Sequence, residues 1–235
     1  LSPVQAYLSI EELLRVAQGA GAEAVHPGYG FLSENPDFAD ACREAGIAFV
    51  GPASSVMRRL GDKVSARALA EQAGVPVMPA SGVLPDDAGA VTRTAAEIGY
   101  PLMLKASWGG GGRGMRVIDG EEGLLENVRA ARSEALTAFG RDDVYLEKLV
   151  RRARHVEVQI LGDSHGNLVH LFERDCTVQR RHQKVVERAP ALYLDEQQRA
   201  ALCEAALAIG RTVGYENAGT VEFLLDADTG RFYFI

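Results

Sequence analysis

The first fifty residues alternate between short apolar runs and amphipathic stretches of helical spacing. Apolar residues recur at every third or fourth position after Ser9 and stop at Gly19, which predicts a helix. A second helix is predicted to begin after Asn35, and apolar runs typical of strands lie on either side of it, at residues 24–26 and 47–50. Strand–helix–strand order at this spacing predicts a parallel sheet.

Further along, the pattern changes and divides the chain into predicted segments. A mainly helical stretch ends at a region rich in Pro and Gly. Strands and helices then alternate, and after about residue 149 polar and apolar residues follow period two, as in half-buried antiparallel strands. The segments are a partial parallel α/β domain (1–53), a helical connector (54–76), a small α/β domain (77–149) and a partial antiparallel domain (150–235). The predicted fold class is therefore α/β (α+β).

Composition and charge narrow the class of protein. With 47% hydrophobic and 24% charged residues, the chain has the composition of a soluble globular protein. A net charge of -7 argues against nucleic acid as a partner, and no apolar stretch is long enough to cross a membrane. The three cysteines are widely spaced without a Cys-x-x-Cys pair, which favours reduced thiols in a cytosol-like compartment.

A run of glycines between two predicted strands is the first candidate for chemistry. Residues 109–112 and 114 are glycine, and backbone N–H groups in such a run can wrap a polyphosphate. The spacing fits Gly-x-Gly-x-x-Gly, but a strand at 115–118 follows where a dinucleotide-binding fold needs a helix. A P-loop is excluded because no Gly-Lys-Ser/Thr follows. We expect a flap that closes over phosphates; the alternative is a flexible hairpin tip without a ligand.

Charged residues inside predicted strands are the second candidate. Lys105 and Lys148 each lie in an apolar strand, where an anion such as phosphate would offset the cost of burial. Glu222 lies between bulky apolar residues and suits a Mg²⁺ ligand. The stretch 173–187 is dense in charge and suits an anion site. The alternative in each case is a solvent-facing position on a strand or surface loop, and periodicity alone favours that alternative for Glu222.

A series of motifs extends from the N-terminal to the C-terminal part of the chain. They are His26-Pro27-Gly28-Tyr29-Gly30-Phe31-Leu32-Ser33-Glu34, Gly61-Asp62-Lys63, the glycine run, Glu147-Lys148, Arg154-His155-Val156-Glu157, Gln179-Arg180-Arg181-His182-Gln183-Lys184 and Gly219-Thr220-Val221-Glu222-Phe223. In this order they resemble biotin carboxylases, which belong to the ATP-grasp superfamily. Trp108 and the sequence from Phe139 to Leu149 look more like pyruvate carboxylases than like acetyl-CoA or propionyl-CoA carboxylases.

The resemblance implies an ATP-grasp fold that follows the remnant of a Rossmann-like pre-ATP-grasp domain, with residues 77–149 as its lid. It also implies an ATP site that holds the phosphates, covers them and reads the adenine and ribose. The implied ATP-binding residues are Lys63, Lys105, Gly110, Gly111, Gly112, Met115, Glu147, Lys148, Val150, His155, Gln179, His182 and Leu224. Glu222 would be one of two carboxylates that bind Mg²⁺ (or Mn²⁺), and Lys184 would act in catalysis near bicarbonate and the transferred phosphate.

The activity that the resemblance implies is ATP-dependent carboxylation of biotin. ATP phosphorylates bicarbonate to carboxyphosphate, which yields CO₂ for N1 of a biotin held on a carrier domain, while cations offset the moving charge. The implied partners are that carrier domain and a carboxyltransferase domain of the same or a partner chain, with a homo-oligomer when full length. The implied compartment is the bacterial cytoplasm or, in a eukaryote, the mitochondrion.

One departure from the family pattern concerns the ends of the chain. It starts at Leu1 rather than at methionine and stops at Ile235, inside an apolar strand pattern that covers residues 232–235. The Glu-x-Asn-x-Arg and Gln-Val-Glu motifs of the family, which supply its second metal carboxylate, its bicarbonate-binding catalytic arginine and its general base, would lie beyond Ile235. We therefore expect a chain cut at both ends, which keeps much of the ATP site but is catalytically incomplete. The alternatives are an acetyl-CoA or propionyl-CoA carboxylase subunit, a carbamoyl-phosphate synthetase half, or a non-catalytic ATP-binding module.

Overall fold

The computed structural model describes residues 2–108, 115–181 and 183–235, with Pro3 described by its backbone alone. Its N-terminal elements are α1 (Pro3–Tyr7), α2 (Ile10–Gly19), β1 (Ala24–Val25), α3 (Pro36–Glu44) and β2 (Ala48–Phe49). Ser9 and Asn35 cap α2 and α3, because each side chain accepts a hydrogen bond from a backbone N–H of the first turn. β1 and β2 pair in parallel, as the strand–helix–strand order predicted.

The predicted helical connector contains two helices, α4 (Ser54–Leu60) and α5 (Lys63–Gln72). Asp62 separates them because its backbone is extended and its carboxylate accepts a hydrogen bond from the N–H of Ser65, which makes it the N-cap of α5. Lys63 is consequently the first residue of α5, and its backbone N–H donates a hydrogen bond to the carbonyl oxygen of Ser107.

An antiparallel sheet with two helices on one face follows. The elements are α6 (Ala88–Ile98), β3 (Leu102–Ala106), β4 (Arg116–Ile118), α7 (Leu124–Phe139) and β5 (Val144–Lys148), with strand order β4-β3-β5. Leu102, Leu104 and Leu146 are fully buried in the core shared with α6 and α7. The opposite face of this sheet is free to carry polar side chains, since side chains alternate between the two faces of a strand.

The C-terminal part forms a five-stranded antiparallel sheet with strand order β10-β9-β6-β7-β8. Its elements are β6 (Ala153–Gly162), β7 (Leu168–Arg180), β8 (Gln183–Arg188), α8 (Glu196–Val213), β9 (Asn217–Asp226) and β10 (Phe232–Phe234). Val156, Val158 and Phe223 are fully buried in a core that also contains Leu202 and Ala206 of α8. The charged stretch 173–187 lies largely within β7 and β8, so it belongs to the sheet rather than to a surface loop.

The segment that follows α5 connects the three-stranded sheet with the five-stranded sheet. Val77 forms a bridge with Phe234 of the five-stranded sheet, and Ala80 forms a bridge with Glu147 of the three-stranded sheet. Each of the two sheets lies within one of the predicted segments, although the boundaries at 53, 76 and 149 stay predictions. In the described ranges, no helix is long and apolar enough to cross a membrane.

Candidate functional site

The polar face of the five-stranded sheet carries two carboxylates that share one lysine. Glu157 on β6 lies directly opposite Glu222 on β9, and directly opposite residues of antiparallel strands share a face. The Lys184 ammonium, from β8, donates hydrogen bonds to both carboxylates and lies 2.6 Å from Oε1 of Glu222. Nε2 of His155 lies 3.4 Å from the same oxygen. The sheet therefore gathers one cationic, one imidazole and two anionic groups from three strands.

The charges in this cluster set the protonation of Glu222. Burial by itself raises the pKa of Glu222, but the adjacent His155 imidazole and the hydrogen bond from Lys184 outweigh it and lower the pKa to about 2. Burial lowers the pKa of Lys184, and hydrogen bonds to Glu157 and Glu222 outweigh that effect, so the net shift is upward. Both groups are therefore held in their charged forms, as a site for phosphate and metal needs.

A second ion pair lies on the three-stranded sheet. Lys105 is opposite Tyr145 and Met103 is opposite Glu147 in the β3–β5 register, so these four side chains share the face that turns away from α6 and α7. The Lys105 ammonium donates a hydrogen bond to Oε2 of Glu147, and the two side chains are only 12% and 5% exposed. This pair places a positive charge on strand β3, just before the glycine run.

Lys63 links the two charged clusters electrostatically. Burial is the main cause that lowers the pKa of Lys63, and repulsion by Lys105 adds to it. Attraction by Glu147, Glu222 and Glu34 acts in the opposite direction. Charges from both sheets and from the N-terminal part therefore lie near enough to the Lys63 ammonium to act on it.

Lys148 departs from the expectation that two strand lysines would face one phosphate group. Its ammonium donates hydrogen bonds to the carbonyl oxygens of Gly99 at 2.8 Å and Tyr100 at 2.7 Å. In the β3–β5 register Lys148 lies opposite Leu102, on the face away from Lys105. The interpretation of the Lys148 ammonium as a phosphate ligand is therefore wrong, whereas a role of its backbone at the adenine stays a prediction.

Some of the other predicted ligands lie near the carboxylate cluster, and for the rest the described part of the chain shows no contact with it. Amide Nε2 of Gln179 lies 3.0 Å from Nδ1 of His155, and Leu224 lies opposite His155, so these three share the polar face. Met115 and Val150 are half-buried, and their roles stay predictions. Gly110, Gly111, Gly112 and His182 lie outside the described residues.

Ile235 is the residue beyond which the resemblance places a catalytic arginine and glutamate. The strand pattern predicted to include it ends one residue earlier, because β10 covers Phe232–Phe234. Its backbone N–H nevertheless donates a hydrogen bond to the carbonyl oxygen of Glu222 at 3.2 Å. Ile235 itself therefore lies beside the strand that carries the carboxylate cluster, whereas the place of the arginine and glutamate after it stays a prediction.

Glu157 is the site residue that sequence reasoning did not assign. Its side chain is only 4% exposed, and it bonds to Arg174 (2.6 Å between Nε and Oε1) as well as to Lys184. The alternation of polar residues along β6 marked it as one face of a strand, but the sequence did not say that Glu222 would lie opposite. A buried carboxylate directly opposite Glu222 is a candidate metal ligand, in addition to the second carboxylate that the resemblance places beyond Ile235.

The low pKa of Glu222 gives a prediction for stability against pH. A lowered pKa means that the stabilisation is present above the ordinary value of 4.5 and is lost as pH falls from there towards about 2. In urea unfolding, Glu222→Gln should be less stable than wild type at about pH 7, and the difference should shrink below about pH 4.5. The exposed Glu216→Gln serves as the control and should show no such convergence. A gap for Glu222→Gln that stays constant down to about pH 3 would contradict the assignment.

Comparison with known proteins gives a match over the whole chain. Residues 62–235 match the family described as "Carbamoyl-phosphate synthase L chain, ATP binding domain", and residues 1–57 match "Biotin carboxylase, N-terminal domain". Mitochondrial pyruvate carboxylase of Rattus norvegicus is 54% identical over 235 residues, which are 100% of this chain and 20% of the relative. The chain thus spans about a fifth of the length of that relative.

Solved structures agree with the sequence matches. A variant of pyruvate carboxylase from Rhizobium etli, solved with the allosteric activator acetyl coenzyme-A, is 63% identical with a TM-score of 0.92 and covers 100% of this chain and 20% of its own. The biotin carboxylase domain of 2-oxoglutarate carboxylase from Hydrogenobacter thermophilus, solved with MgADP, ADP and bicarbonate, is 47% identical with a TM-score of 0.94 and covers 100% and 52%.

These matches confirm the expected α/β, ATP-grasp fold and the resemblance to biotin carboxylases, in particular to those of pyruvate carboxylases. The match to the biotin carboxylase N-terminal domain covers the part of the structure that contains β1 and β2. The match to the ATP-binding domain covers α5 and both antiparallel sheets. The chain belongs to the ATP-binding domain family named after the carbamoyl-phosphate synthase L chain, within the ATP-grasp superfamily, and carries the N-terminal domain of biotin carboxylases before it.

Proposed function

We propose that the cleft between the two sheets binds ATP with a divalent metal ion, and that the natural protein uses it to carboxylate biotin with bicarbonate. The observation that carries the proposal is Lys63. It is a half-buried cation, and among the described residues no hydrogen bond or ion pair is found for its ammonium. Partial burial weakens the hydration of a cation, so an anionic partner stabilises it, and the triphosphate of a nucleotide would supply one.

Lys105 is the second cation proposed to hold the phosphates. It lies on the strand that leads into the glycine run, and its charge acts on Lys63, so one chain of phosphates can reach both. The ion pair with Glu147 orients the Lys105 ammonium. The glycine run would close over the same phosphates with its backbone N–H groups.

Glu157 and Glu222 fit a Mg²⁺ or Mn²⁺ ion that enters with the nucleotide. Their oxygens and a nitrogen of His155 lie within 4.8 Å of one another, and hard cations prefer carboxylate oxygens together with substrate phosphates. The metal ion would neutralise charge on the phosphates. Lys184 bonds to the same two carboxylates, so it would compensate their charge between turnovers.

The chemistry proposed for the natural protein is the first half-reaction of a biotin-dependent carboxylase of the pyruvate carboxylase type. A bicarbonate oxygen attacks the γ-phosphorus of ATP and ADP leaves. The carboxyphosphate formed breaks down to CO₂ and inorganic phosphate, N1 of biotin gives its proton to that phosphate, and N1 then attacks CO₂ to form carboxybiotin. Lys184 would stabilise the negative charge that moves between phosphate and bicarbonate, because its ammonium is already fixed in the cluster. Excluding water from the closed site would protect the labile intermediate.

The proposed partners follow from this chemistry. Biotin on a carrier domain and a carboxyltransferase domain of the same or a partner chain would complete the enzyme, and we propose a homo-oligomer. A cytoplasmic location in a bacterium, or a mitochondrial one in a eukaryote, fits reduced, buried cysteines.

The test is bicarbonate-dependent formation of ADP by the natural full-length protein. We expect ADP release that requires MgATP, bicarbonate and biotin together, and that is lost in Glu222→Gln. MgATP binding without any bicarbonate-dependent ADP release would overturn the carboxylase and leave a non-catalytic ATP-binding module. Binding of NADH in place of MgATP would overturn the nucleotide assignment as a whole.

A further inference from the structure

The carboxylate of Asp62 joins helix α5 to strand β3. Its Oδ2 accepts hydrogen bonds from the backbone N–H of Ser65 at 3.0 Å and from the Ser65 hydroxyl at 2.5 Å. Its Oδ1 accepts a hydrogen bond from the hydroxyl of Ser107, which is fully buried just after β3. An N-cap needs only one of the two carboxylate oxygens, so the second oxygen is available for a contact between two separate elements.

Residues next to Asp62 and Ser107 make further contacts between α5 and the end of β3. The N–H of Lys63 donates to the carbonyl oxygen of Ser107 at 3.0 Å, and Asp62 forms an antiparallel bridge with Trp108. The guanidinium of Arg141 lies 4.6 Å from the centroid of the Trp108 ring. These contacts fix the first residue of α5 against the end of β3, and we call the Asp62–Ser107 contact with its Lys63 backbone bond the joint.

The joint lies between Lys63 and Lys105, the two lysines proposed to bind the phosphates. Lys63 follows Asp62 directly, and Lys105 precedes Ser107 by two residues on β3. The two ammonium groups repel each other, as the effect of Lys105 on Lys63 shows. Without a fixed connection this repulsion would favour a wider separation of the two lysines whenever no anion lies between them.

We propose that Asp62 and Ser107 are positioning residues that hold Lys63 and Lys105 at the spacing at which both bind one chain of phosphates. The inference rests on the proposed ATP site and adds two residues that touch neither nucleotide nor metal. Its energetic basis is preorganisation: the separation of the two cations is set during folding rather than at each binding event.

A double-mutant cycle on the natural full-length protein tests the joint. Asp62→Asn keeps a good N-cap but changes the acceptor for Ser107, and Ser107→Ala removes the donor. The matched control is Asp87→Asn, because Asp87 caps α6 through a 2.7 Å bond from the N–H of Ala90. The readouts are KM for MgATP and kcat of ADP formation, together with urea unfolding.

Each single variant should raise KM for MgATP by about tenfold or more, with kcat changed less than KM. The double variant should be no worse than the more affected single variant, because both replacements break the same contact. Effects that add fully, or a KM no higher than that of Asp87→Asn, would overturn the joint while leaving the ATP site intact. A wild-type protein that fails to bind MgATP would overturn the proposed function itself, before the variants are compared.

Discussion

Replacing Lys105 with methionine should weaken MgATP binding by about ten- to a hundredfold, because one charged hydrogen bond to phosphate is lost. The same replacement leaves the carboxylate of Glu147 buried without its partner, so the free energy of unfolding should fall by about 3–5 kcal/mol. Calorimetric titration with a non-hydrolysable ATP analogue measures the first effect, and urea unfolding measures the second.

A double replacement separates the two effects. In Lys105→Met with Glu147→Leu both charges are gone, and apolar replacement of a buried ion pair is often close to neutral. Stability should therefore return towards wild type, while the affinity for the ATP analogue stays low. If affinity recovers together with stability, Lys105 acts through folding alone and not on the phosphates.

Replacing Lys184 with methionine should lower kcat of ADP formation by about a hundred- to a thousandfold, with a smaller effect on KM for MgATP. The reason is that Lys184 is proposed to stabilise charge that develops during phosphoryl transfer, whereas Lys63 and Lys105 are proposed to bind the phosphates in the ground state. Steady-state kinetics with saturating bicarbonate measure both constants.

The control for Lys184 lies on the same strand. Arg188 of β8 pairs with Asp175 at 3.0 Å and is 50% exposed, outside the carboxylate cluster. Arg188→Met should therefore leave kcat within about twofold of wild type, since its half-exposed guanidinium pairs with Asp175 and not with the carboxylate cluster. Equal losses in the two variants would show that β8 matters for the shape of the sheet and that the Lys184 ammonium has no special role.

The sequence predicted which strands carry charge but not which face each charge would take. Lys105 and Lys148 both occur in apolar strands, and the sequence treats them alike. Lys105 lies opposite Tyr145, three residues before Lys148, and this odd separation puts the two lysines on opposite faces. Register depends on tertiary packing and turns, so periodicity within one strand could not reveal it.

Glu157 is a second residue whose position in the site depends on strand pairing and not on its own strand. Its alternation with apolar neighbours was visible in the sequence, and so was that of Glu222, yet solvent exposure explained each of them equally well. Only the β6–β9 pairing brings the two carboxylates together, and only the β7–β8 hairpin brings Lys184 to them. The site is a property of three strands that are distant in sequence.

The sequence predicts secondary structure correctly where a short motif of nearby residues determines it. The parallel pairing of β1 and β2, the caps at Ser9 and Asn35 and the helix that begins after Asp87 all follow from nearby residues. The interruption of the helical connector at Asp62 also has a local cause, an N-cap carboxylate. Its contact with Ser107 is not local, because 45 residues separate the two partners.

The central claim is that Lys63 is a half-buried cation that binds the phosphates of a nucleotide. The most direct test is calorimetric titration of wild-type and Lys63→Met full-length protein with Mg²⁺ and a non-hydrolysable ATP analogue. We expect one site per wild-type chain and an affinity lower by at least about tenfold in the variant. Equal affinities in the two proteins would contradict the account, because the phosphates would then bind without the residue on which the site is built.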